Sequence, residues 1–485
     1  MSAVVVASNR GPLQFTVGAN GEVSSSRGSG GLVSALAPAL ESIPCTWISA
    51  AMTKGDRAVA AAATGLPLPR SGTAEPRVLH LDEKIYDNYY HDISNRTLWF
   101  LQHRLLDAGA VTFDRGFQDR WNSYRAVNRA FAEACDEEAD AGAEAHVEDY
   151  HLGLAPALLR ERRPDLRIMH HVCCPWTDPE CFGLLPGAVA GELLHGMLGA
   201  DVVGFLSARW VENFLRCCRS VGFAVDAALG TVRAADGREV RVRAFPLGVD
   251  ERDLRRLLSR GRPERFAADQ AQRLIVRVDR MEPTKNIVRG LDGFAAFLGS
   301  HPGYEGKVTH LVVTNLSRGG MPEYQRYRAE VERCVQEVNR RFGRPGWTPV
   351  RLLVLDDHPR ALRALAAADV VVVNPVWDGM NLVAKEAACV NDRDAVLILS
   401  RNAGAAEDLG DAALLLNPFD TAALADAIAR ALAMGPAERA RRAARLRSAA
   451  VALPPGAWFA AQREALSQAA AAGQGHPARG PKLRA

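Results

Sequence analysis

Short apolar runs alternate along most of the chain with longer segments whose apolar residues recur at helical spacing. A clear run in the C-terminal half is Val370–Val373, and Asn374 and Pro375 follow it, as is typical of a buried parallel strand that ends in a turn. Helical spacing is equally clear in the residues Ile287, Leu291, Phe294 and Leu298. This alternation predicts an α/β protein with parallel sheets covered by helices on both faces.

The pattern predicts a series of strands in each half of the chain. In the first half we expect strands at residues 3–7, 145–147, 167–173 and 200–205, with 242–248 closing that half. In the second half we expect strands at residues 274–278, 310–314, 350–355, 370–373, 396–400 and 413–416, and helices at 322–341, 359–368 and 421–434. Each half is therefore predicted to be Rossmann-like.

Length favours more than one domain, because 485 residues are too many for one ordinary core. We place an N-terminal domain at residues 1–248 and a C-terminal domain at 249–455. A helix at 456–472 is expected to cross back to the first domain. Residues 473–485 are rich in Gly, Pro and basic residues and are expected to form a disordered tail.

Composition narrows the class of protein. A hydrophobic content of 48% with 24% charged residues is typical of a soluble globular protein. The 59 basic and 56 acidic residues are too evenly balanced to favour nucleic acid as a partner. No apolar stretch approaches the roughly 20 residues of a membrane helix, and no signal-peptide pattern follows Met1. Nine scattered cysteines, an odd number, indicate a reducing compartment, and we expect a cytoplasmic protein without a membrane partner.

The segment from Trp377 to Glu386 follows a predicted strand and leads into a helical pattern. Ligands bind at this edge of open α/β sheets because free helix N–H groups and the helix dipole face them there. Asp378 is suited to accept hydrogen bonds from sugar hydroxyls, and Gly379 permits close approach of the backbone. Glu386 is placed to accept from a ribose diol. For this segment alone, an N-capping Asp with an ordinary surface Glu is the alternative interpretation.

Basic residues follow the neighbouring predicted strands. Arg280 and Lys285 share one strand-exit loop, and Arg318 follows the next strand. Such residues neutralise a diphosphate without a metal ion, although each alone is more often a surface charge. The glycine-rich segment 24–32, with Gly28, Gly30 and Gly31, offers backbone N–H groups to a phosphate or a sugar, but its spacing matches neither a dinucleotide-binding nor a P-loop motif.

Two segments raise the question of a metal site. One contains the residues His170, His171, Cys173, Cys174 and Cys181. Alternate residues of a strand point to opposite faces, so this set is not expected to converge on a tetrahedral zinc ion. The other segment, Asp356-Asp357-His358, is better explained as a helix N-cap. We therefore expect no metal ion.

These motifs resemble those of the trehalose-6-phosphate synthases, retaining glycosyltransferases with the GT-B fold. That fold consists of two Rossmann-like domains with the active site in the cleft between them. The resemblance runs from Ser8 to about Trp458. Its landmarks, in chain order, are residues 8–10 (SNR), 30–32 (GGL), 89–90 (YY), 98–99 (LW), 149–152 (DYHL), 246–248 (PLG), Arg280 with Lys285, 317–319 (SRG), 346–349 (GWTP), 378–386 (DGMNLVAKE) and 417–420 (NPFD).

The resemblance implies metal-independent transfer of glucose from a nucleotide diphosphate-glucose to a phosphorylated sugar, above all glucose 6-phosphate, which gives trehalose 6-phosphate. The nucleotide sugar is then a co-substrate, and no cofactor is expected. The implied catalytic residues are Arg280, Lys285, Asp378 and Asp149. The implied donor contacts are Gly30, Gly31, Cys173, His171, Arg280, Lys285, Asp378, Gly379, Met380, Asn381, Leu382, Val383 and Glu386. The implied acceptor contacts are Arg10, Tyr90, Trp99, Asp149 and Arg318. A homo-oligomer is compatible with these expectations.

The chain departs from the family pattern in three places. Cys173 stands where the family has a His that contacts the donor sugar, and a thiol is a poor substitute for an imidazole as a hydrogen-bond donor. His171, two residues back on the same face of the strand, is the candidate substitute. Glu148 replaces the usual His before Asp-Tyr-His, and His91 replaces an Asn after the paired tyrosines.

Two alternatives therefore stay open beside a trehalose-6-phosphate synthase. The first is a homologue in specialised metabolism, such as a pseudo-glycosyltransferase or a natural-product or nucleoside glycosyltransferase, with a different donor or acceptor. The second is a catalytically weak regulatory protein that binds sugar phosphates. The complete donor set of Arg280, Lys285 and Glu386 disfavours the second, because a sensor does not need a whole donor site.

The replacement at residue 173 generates a prediction. We expect Cys173→His to increase the turnover of UDP-glucose and glucose 6-phosphate over that of the wild type, because the imidazole restores a strong donor at this position. Steady-state release of the nucleoside diphosphate measures the effect. Equal rates for the two proteins would contradict the importance that we assign to Cys173.

Overall fold

A computed structural model describes residues 2–18, 22–28, 31–61, 70–106, 111–260, 266 and 273–474. It divides into two compact units. The first contains the described residues of 1–102, 111–245 and 456–485, and the second contains those of 103–110 and 246–455. The division after Phe245 lies three residues before our predicted boundary, and the segment that begins at His103, which we assigned to the first domain, is grouped with the second unit.

The first unit is built on a nine-stranded sheet. Its strands and those of a separate hairpin are β1 (Ser2–Ala7), β2 (Leu13–Val17), β3 (Val23–Arg27), β4 (Cys45–Ala50), β5 (Ala74–Leu79), β6 (Ala139–Glu148), β7 (Arg167–Val172), β8 (Val202–Phe205), β9 (Val225–Asp226), β10 (Thr231–Arg233) and β11 (Glu239–Ala244). The order in the sheet is β5-β4-β1-β6-β7-β8-β11-β10-β9, and only the last two strands are antiparallel to their neighbours.

Helices cover this sheet and supply its connections. They are α1 (Gly31–Ala39), α2 (Lys54–Ala61), α3 (Glu83–Asp87), α4 (Trp99–Gln102), α5 (Phe117–Glu138), α6 (Ala155–Arg162), α7 (Pro179–Phe182), α8 (Gly187–Met197) and α9 (Ala208–Ser220). Between α3 and α4 the chain forms an unusually long π-helix, Asn88–Leu98. π-Helical segments are frequent at functional sites. The π-helix of this chain contains Tyr90, a predicted acceptor contact.

The second unit is a six-stranded sheet in which every pair of neighbours is parallel. Its strands are β12 (Arg273–Met281), β13 (Val308–Leu316), β14 (Val350–Val354), β15 (Val370–Val373), β16 (Val396–Ser400) and β17 (Leu414–Leu416), in the order β14-β13-β12-β15-β16-β17. Its helices are α10 (Glu251–Leu258), α11 (Ile287–Ser300), α12 (Pro322–Phe342), α13 (His358–Ala366), α14 (Leu382–Val390), α15 (Ala406–Leu409), α16 (Thr421–Ala433) and α17 (Pro436–Ala450).

The C-terminal helix, α18 (Pro455–Gln474), is grouped with the first unit from Gly456 onward. Its Trp458 is almost completely buried and donates from Nε1 to the carbonyl oxygen of Phe245, at 3.1 Å. One turn further on, Arg463 donates from Nε to Oε2 of Glu144, at 2.6 Å. The first contact joins residues that are 213 positions apart in the chain, and the second joins residues that are 319 positions apart. The C-terminal helix is thus attached to the sheet of the first unit. The predicted tail lies outside the described residues apart from its first two positions.

Most predicted strands are present, and the alternating pattern located 370–373 and 396–400 to the residue. The glycine-rich loop predicted at 24–32 is wrong in its first part, because residues 23–27 pair with β2 as an antiparallel strand. Gly28 follows that strand, and a Cβ there would lie 2.3 Å from the carbonyl oxygen of Gly11, so close backbone packing explains this glycine. None of the helices in the described ranges combines the length and apolar character that crossing a lipid bilayer requires.

The packing of Trp458 generates a prediction. We expect Trp458→Ala to lower the free energy of unfolding by about 3–5 kcal/mol, because it leaves a cavity between α18 and the sheet. Trp458→Phe keeps most of the ring but loses the bond to Phe245, so it should cost only about 1 kcal/mol. Urea unfolding followed by circular dichroism compares the three proteins. An unchanged transition for Trp458→Ala would contradict a structural role for α18.

Candidate active site

A fully buried carboxylate organises the basic residues of the second unit. Glu282 follows β12 directly, and its Oε1 lies 2.9 Å from Nη2 of Arg280, while its Oε2 lies 3.5 Å from Nη1 of Arg318. Burial disfavours the charged form of Glu282, but the two guanidinium groups outweigh burial and lower its pKa below the ordinary value. The ionised carboxylate therefore holds Arg280, near the end of β12, beside Arg318, which lies two residues after β13.

A second ion pair lies on the same loop. Nζ of Lys285 is 2.5 Å from Oδ2 of Asp378, which also accepts from Nδ2 of Asn381 at 3.1 Å. Burial of Asp378 works against its ionisation, yet the Lys285 ammonium outweighs it and keeps the pKa of Asp378 below the usual range. Lys285 stays charged as well, since Asp378, Asp279 and Glu282 raise its pKa against the effect of burial. The predicted pair of a diphosphate-binding Lys and a sugar-binding Asp is thus in direct contact.

The backbone after Asp378 is clamped by the neighbouring strand exit. Gly404 N–H donates to the carbonyl oxygen of Asp378 at 3.1 Å, and Ala405 N–H donates to that of Met380 at 2.7 Å. A Cβ on Gly404 would lie 2.0 Å from the carbonyl oxygen of Gly379, so only glycine fits at this crossing. The predicted donor contacts 378–380 therefore sit on a rigid turn.

Helix α14 begins immediately after this turn. Asn381 has a left-handed backbone (φ 73°), and its side chain caps the helix by accepting from the Ala384 N–H. Leu382 and Val383 form the first turn, so their N–H groups are at the helix N-terminus, where an anion is favoured. The motif thus occupies the strand-to-helix position that its sequence predicted.

Glu386 lies in the second turn of α14, and its Oε1 is 3.2 Å from Nε2 of His358, the first residue of α13. Asp357 caps α13 by accepting from the Arg360 N–H, which confirms the N-cap interpretation of the Asp-Asp-His segment. His358 was not among the predicted site residues. Its signal in the sequence is its position at a strand exit, one residue after a capping Asp.

In the first unit, aromatic stacking links the predicted acceptor residues. Arg10 donates from Nη2 to the hydroxyl of Tyr90 at 3.1 Å. The Tyr90 ring stacks on Tyr86, with 5.5 Å between centroids, and on His151, with 5.9 Å. Nδ1 of His151 lies 3.8 Å from Oδ2 of Asp149, so Arg10, Tyr90 and Asp149 belong to one connected group.

Asp149 has both an unusual backbone and an unusual carboxyl group. Its φ of 72° with ψ of 167° is a region almost restricted to glycine, and such strain is often found at functional sites. Oδ1 of Asp149 accepts from the Cys173 N–H at 3.1 Å. Burial, with a smaller effect of the Glu148 charge, raises the pKa of Asp149 to about 6 in spite of backbone hydrogen bonds. This carboxyl group therefore titrates close to physiological pH.

The remaining predicted residues of the first unit fall into two places. Trp99 begins α4 and packs against Tyr150, with 5.5 Å between ring centroids. Tyr150 in turn donates to Oδ1 of Asn95 in the π-helix, at 2.9 Å. Gly31 is the first residue of α1, and Gly30 lies outside the described residues.

Two of the departures from the family pattern, Glu148 and Cys173, lie beside the candidate substitute His171. Glu148 ends β6, His171 is opposite it on β7, and Cys173 follows β7. His171 is fully buried, with Nδ1 3.6 Å from Sγ of Cys173 and 3.7 Å from Oε2 of Glu148. The third departure, His91, packs edge-on against Tyr90 with 5.1 Å between centroids.

The structure therefore gathers most of the predicted donor residues in the second unit and most of the predicted acceptor residues in the first, while the predicted donor contacts Gly31, His171 and Cys173 lie in the first unit. Arg318, predicted as an acceptor contact, belongs to the second unit, where it shares Glu282 with Arg280. Sequence reasoning missed Glu282. Its only signal was an acidic residue between two basic positions of a strand-exit loop.

Comparison with known proteins gives a consistent result. The sequence profile of glycosyltransferase family 20 matches residues 2–468. A trehalose-6-phosphate synthase from Mycobacterium avium is 33% identical over 501 residues, which cover 96% of each chain. A bifunctional trehalose-6-phosphate synthase/phosphatase from Thermoproteus tenax is 34% identical over 379 residues, which cover 76% of this chain and 50% of that protein, so the chain matches half the length of this relative.

Among solved structures, a UDP-forming alpha,alpha-trehalose-phosphate synthase from Burkholderia xenovorans in complex with glucose 6-phosphate resembles this one with a TM-score of 0.82. The two chains are 28% identical, and the match covers 96% of this chain and 99% of the other.

The raised pKa of Asp149 generates a prediction about stability. A folded-state pKa of about 6, above that of an unfolded Asp, means that the stability which Asp149 contributes is complete at low pH and is lost as the pH rises through about 6. The Asp149→Asn variant does not lose this stability, because Asn does not ionise. The difference between the free energy of unfolding of the variant and that of the wild type should therefore rise by about 3 kcal/mol between pH 4 and pH 8.

Asp165→Asn in the same unit is the control for this experiment. The Arg163 guanidinium and the Gly142 N–H hold the pKa of Asp165 below its usual range, so the relative stability of that variant should fall as the pH rises up to about 4 and stay nearly constant between pH 4 and pH 8. Denaturant titrations at several pH values measure both variants. The same slope for the two substitutions would show that Asp149 is not perturbed as described.

Proposed function

The chain belongs to glycosyltransferase family 20, and from this premise we propose that it transfers glucose from UDP-glucose to glucose 6-phosphate, with trehalose 6-phosphate and UDP as products. The predicted GT-B fold is confirmed by the likeness to the synthase from Burkholderia xenovorans. That structure is of a UDP-forming enzyme in complex with glucose 6-phosphate, which supports both the donor and the acceptor proposed for this chain.

The donor group carries this proposal, through the contacts of Glu282 with Arg280 and Arg318. A departing diphosphate brings two negative charges to the site, and guanidinium groups bind phosphate oxygens with paired N–H donors. Because Glu282 holds both groups in advance, they need little reorganisation as charge develops on the leaving oxygen. Such an arrangement favours an enzyme that stabilises a leaving phosphate over a regulatory protein that only binds a sugar phosphate.

Lys285 and Asp378 act on the other parts of the donor. We assign Lys285 to the diphosphate and Asp378 to hydroxyls of the glucose, and their 2.5 Å contact keeps both charged until the substrate arrives. Glu386, which faces His358, is assigned to the ribose hydroxyls. The N–H groups of Leu382 and Val383, in the first turn of α14, supply further donors at the helix N-terminus.

The acceptor group supports a phosphorylated sugar. We assign Arg10, Tyr90 and Trp99 to the 6-phosphate. Asp149 is assigned to acceptor hydroxyls, and its pKa of about 6 leaves most of it ionised at neutral pH. Activity should therefore decline as the pH falls below about 6, when this carboxylate becomes protonated.

We propose front-face transfer with retention of configuration. The acceptor hydroxyl oxygen forms a bond to the anomeric carbon on the face from which UDP departs, as the bond to the phosphate oxygen breaks. The hydroxyl proton passes to that phosphate oxygen, so no enzyme nucleophile is needed and every bond is accounted for. Arg280 and Lys285 supply the stabilisation of the developing negative charge.

The compartment follows from the thiols. All nine cysteines lie in the described ranges and are free. We propose that the protein acts in a reducing compartment, because free thiols persist more readily there than in an oxidising one.

The test is release of UDP from UDP-glucose with and without glucose 6-phosphate, with analysis of the sugar product by mass spectrometry. Release that depends on glucose 6-phosphate, with a non-reducing disaccharide phosphate as product, would support the proposal. Donor binding without such release would refute it. It would instead favour a homologue with a different acceptor, for which the replacement at Cys173 is the main support.

The donor group generates a prediction for the same assay. Arg280→Ala should lower kcat/KM about a hundredfold or more, because a preorganised donor to the leaving group is lost. Arg273→Ala is the matched control: Arg273 lies at the other end of the same strand and pairs with Asp369, so its loss should leave kcat/KM nearly unchanged. Similar losses in the two variants would indicate an effect on folding and not on the leaving group.

A further inference from the structure

Three side chains with metal-binding atoms face one another in the first unit. Nδ1 of His171 lies 3.6 Å from Sγ of Cys173 and 3.7 Å from Oε2 of Glu148. One ligand atom from each residue can be chosen so that all three lie within 4.8 Å of one another. We call these residues the Glu-His-Cys cluster.

The sheet itself brings the cluster together. His171 and Cys173 are two residues apart and therefore point to the same side of β7 and its continuation. Glu148 is the residue directly opposite His171 on the neighbouring parallel strand. The set of residues for which no metal ion was expected lies in one segment of the chain, residues 170–181, and the ligand that completes the present set comes from the neighbouring strand.

The rest of the sequence motif is directed elsewhere, as that argument expected. His170 points to the other face, where its Nδ1 contacts the carbonyl oxygen of Val147 at 3.0 Å. Cys181 is engaged with the carbonyl oxygen of Leu101 at 3.5 Å. The cluster is therefore a different set of residues from the one that the motif suggested.

The burial of the Glu148 carboxylate in this cluster is energetically unfavourable. Glu148 is fully buried, and among the described residues neither of its oxygens has a hydrogen-bond partner. Nε2 of the fully buried His171 also has none. Burial of a carboxylate without compensating bonds is strongly unfavourable, and buried charges are normally paired or bind a metal ion. The arrangement thus calls for a cation between the three groups.

We propose that the Glu-His-Cys cluster binds a divalent transition metal ion, with Zn²⁺ the best fit. Zinc bonds of about 2.0–2.3 Å in tetrahedral geometry place neighbouring ligand atoms about 3.3–3.8 Å apart, which includes the two distances from His171 in this cluster. A thiolate and a carboxylate balance the two charges of the ion, and sulfur with nitrogen favours zinc over magnesium or calcium.

The ion would join the ends of two strands. Asp149 follows Glu148 in the chain and accepts a hydrogen bond from the N–H of Cys173. A metal ion bound by Glu148 and Cys173 would therefore also fix the position of the Asp149 carboxylate. Three protein ligands leave a fourth position for water or a substrate oxygen. This site is separate from charge neutralisation of the diphosphate, which remains with Arg280 and Lys285, and it does not depend on the proposed reaction.

The test begins with the wild-type protein after chelation and removal of the chelator. Titration with Co²⁺, a spectroscopic substitute for zinc, should give one bound ion per chain with a thiolate-to-cobalt charge-transfer absorption. Zn²⁺ should displace it and raise the melting temperature, as any ligand that binds only the folded state does. Absence of the charge-transfer band in the wild type overturns the proposal without recourse to any variant.

Variants then identify the ligands. Cys173→Ser and Glu148→Gln should weaken Co²⁺ binding at least about tenfold, and Cys173→Ser should abolish the charge-transfer band. Cys181→Ser is the matched control, since it removes another partly buried thiol of the same segment and should keep affinity and band unchanged. A band that survives Cys173→Ser, or disappears in Cys181→Ser, would place the metal elsewhere and overturn the proposal. Circular dichroism of each variant shows whether it is folded.

Discussion

A buried carboxylate between two guanidinium groups is the constraint on which the second unit's site depends. Glu282 has no exposed surface, and Arg280 and Arg318 are its partners. A buried ion pair contributes little net stability, because desolvation offsets most of the attraction. Its value here is positional: if either guanidinium turned away, an uncompensated charge would remain in the interior. The site is thus held in a form ready for an anion.

The parallel sheets explain why the functional groups gather where they do. In the second unit β12 and β13 pair in register, with Arg280 opposite Asn315, so residues just beyond both strands are neighbours. In the first unit β6 and β7 pair in the same way, which brings Asp149 to the backbone of Cys173. All strands of a parallel sheet end at the same edge, so residues far apart in the chain become partners there.

The replacements at Glu148 and Cys173 gain meaning from this geometry. Along the chain they are separate differences from a family pattern, but in the structure both contact the buried His171. One shared group is more readily explained by one new property than by two independent losses. Metal binding is that property in our proposal, and it leaves the diphosphate-binding residues of the second unit untouched.

Local pattern decided a large part of this fold. Continuous apolar runs are confined to buried parallel strands, which is why 370–373 and 396–400 were predicted to the residue. Likewise, the strand-to-helix position of Asp378 and Glu386 follows from spacing along the chain alone. The hairpin at 23–27 was missed because its strand is polar and glycine-flanked, and only pairing with β2 makes it a strand.

The sequence by itself thus determined the α/β class, the strand exits and the residue types available at each of them. Tertiary structure alone decided which of these residues are partners, because that depends on strand order and register. Three such partnerships are Glu282 with Arg280 and Arg318, His358 with Glu386, and Glu148 with His171. They depend on which segments pack together and on which charged groups are buried. The raised pKa of Asp149 has the same origin, since burial depends on what the rest of the chain packs around a residue.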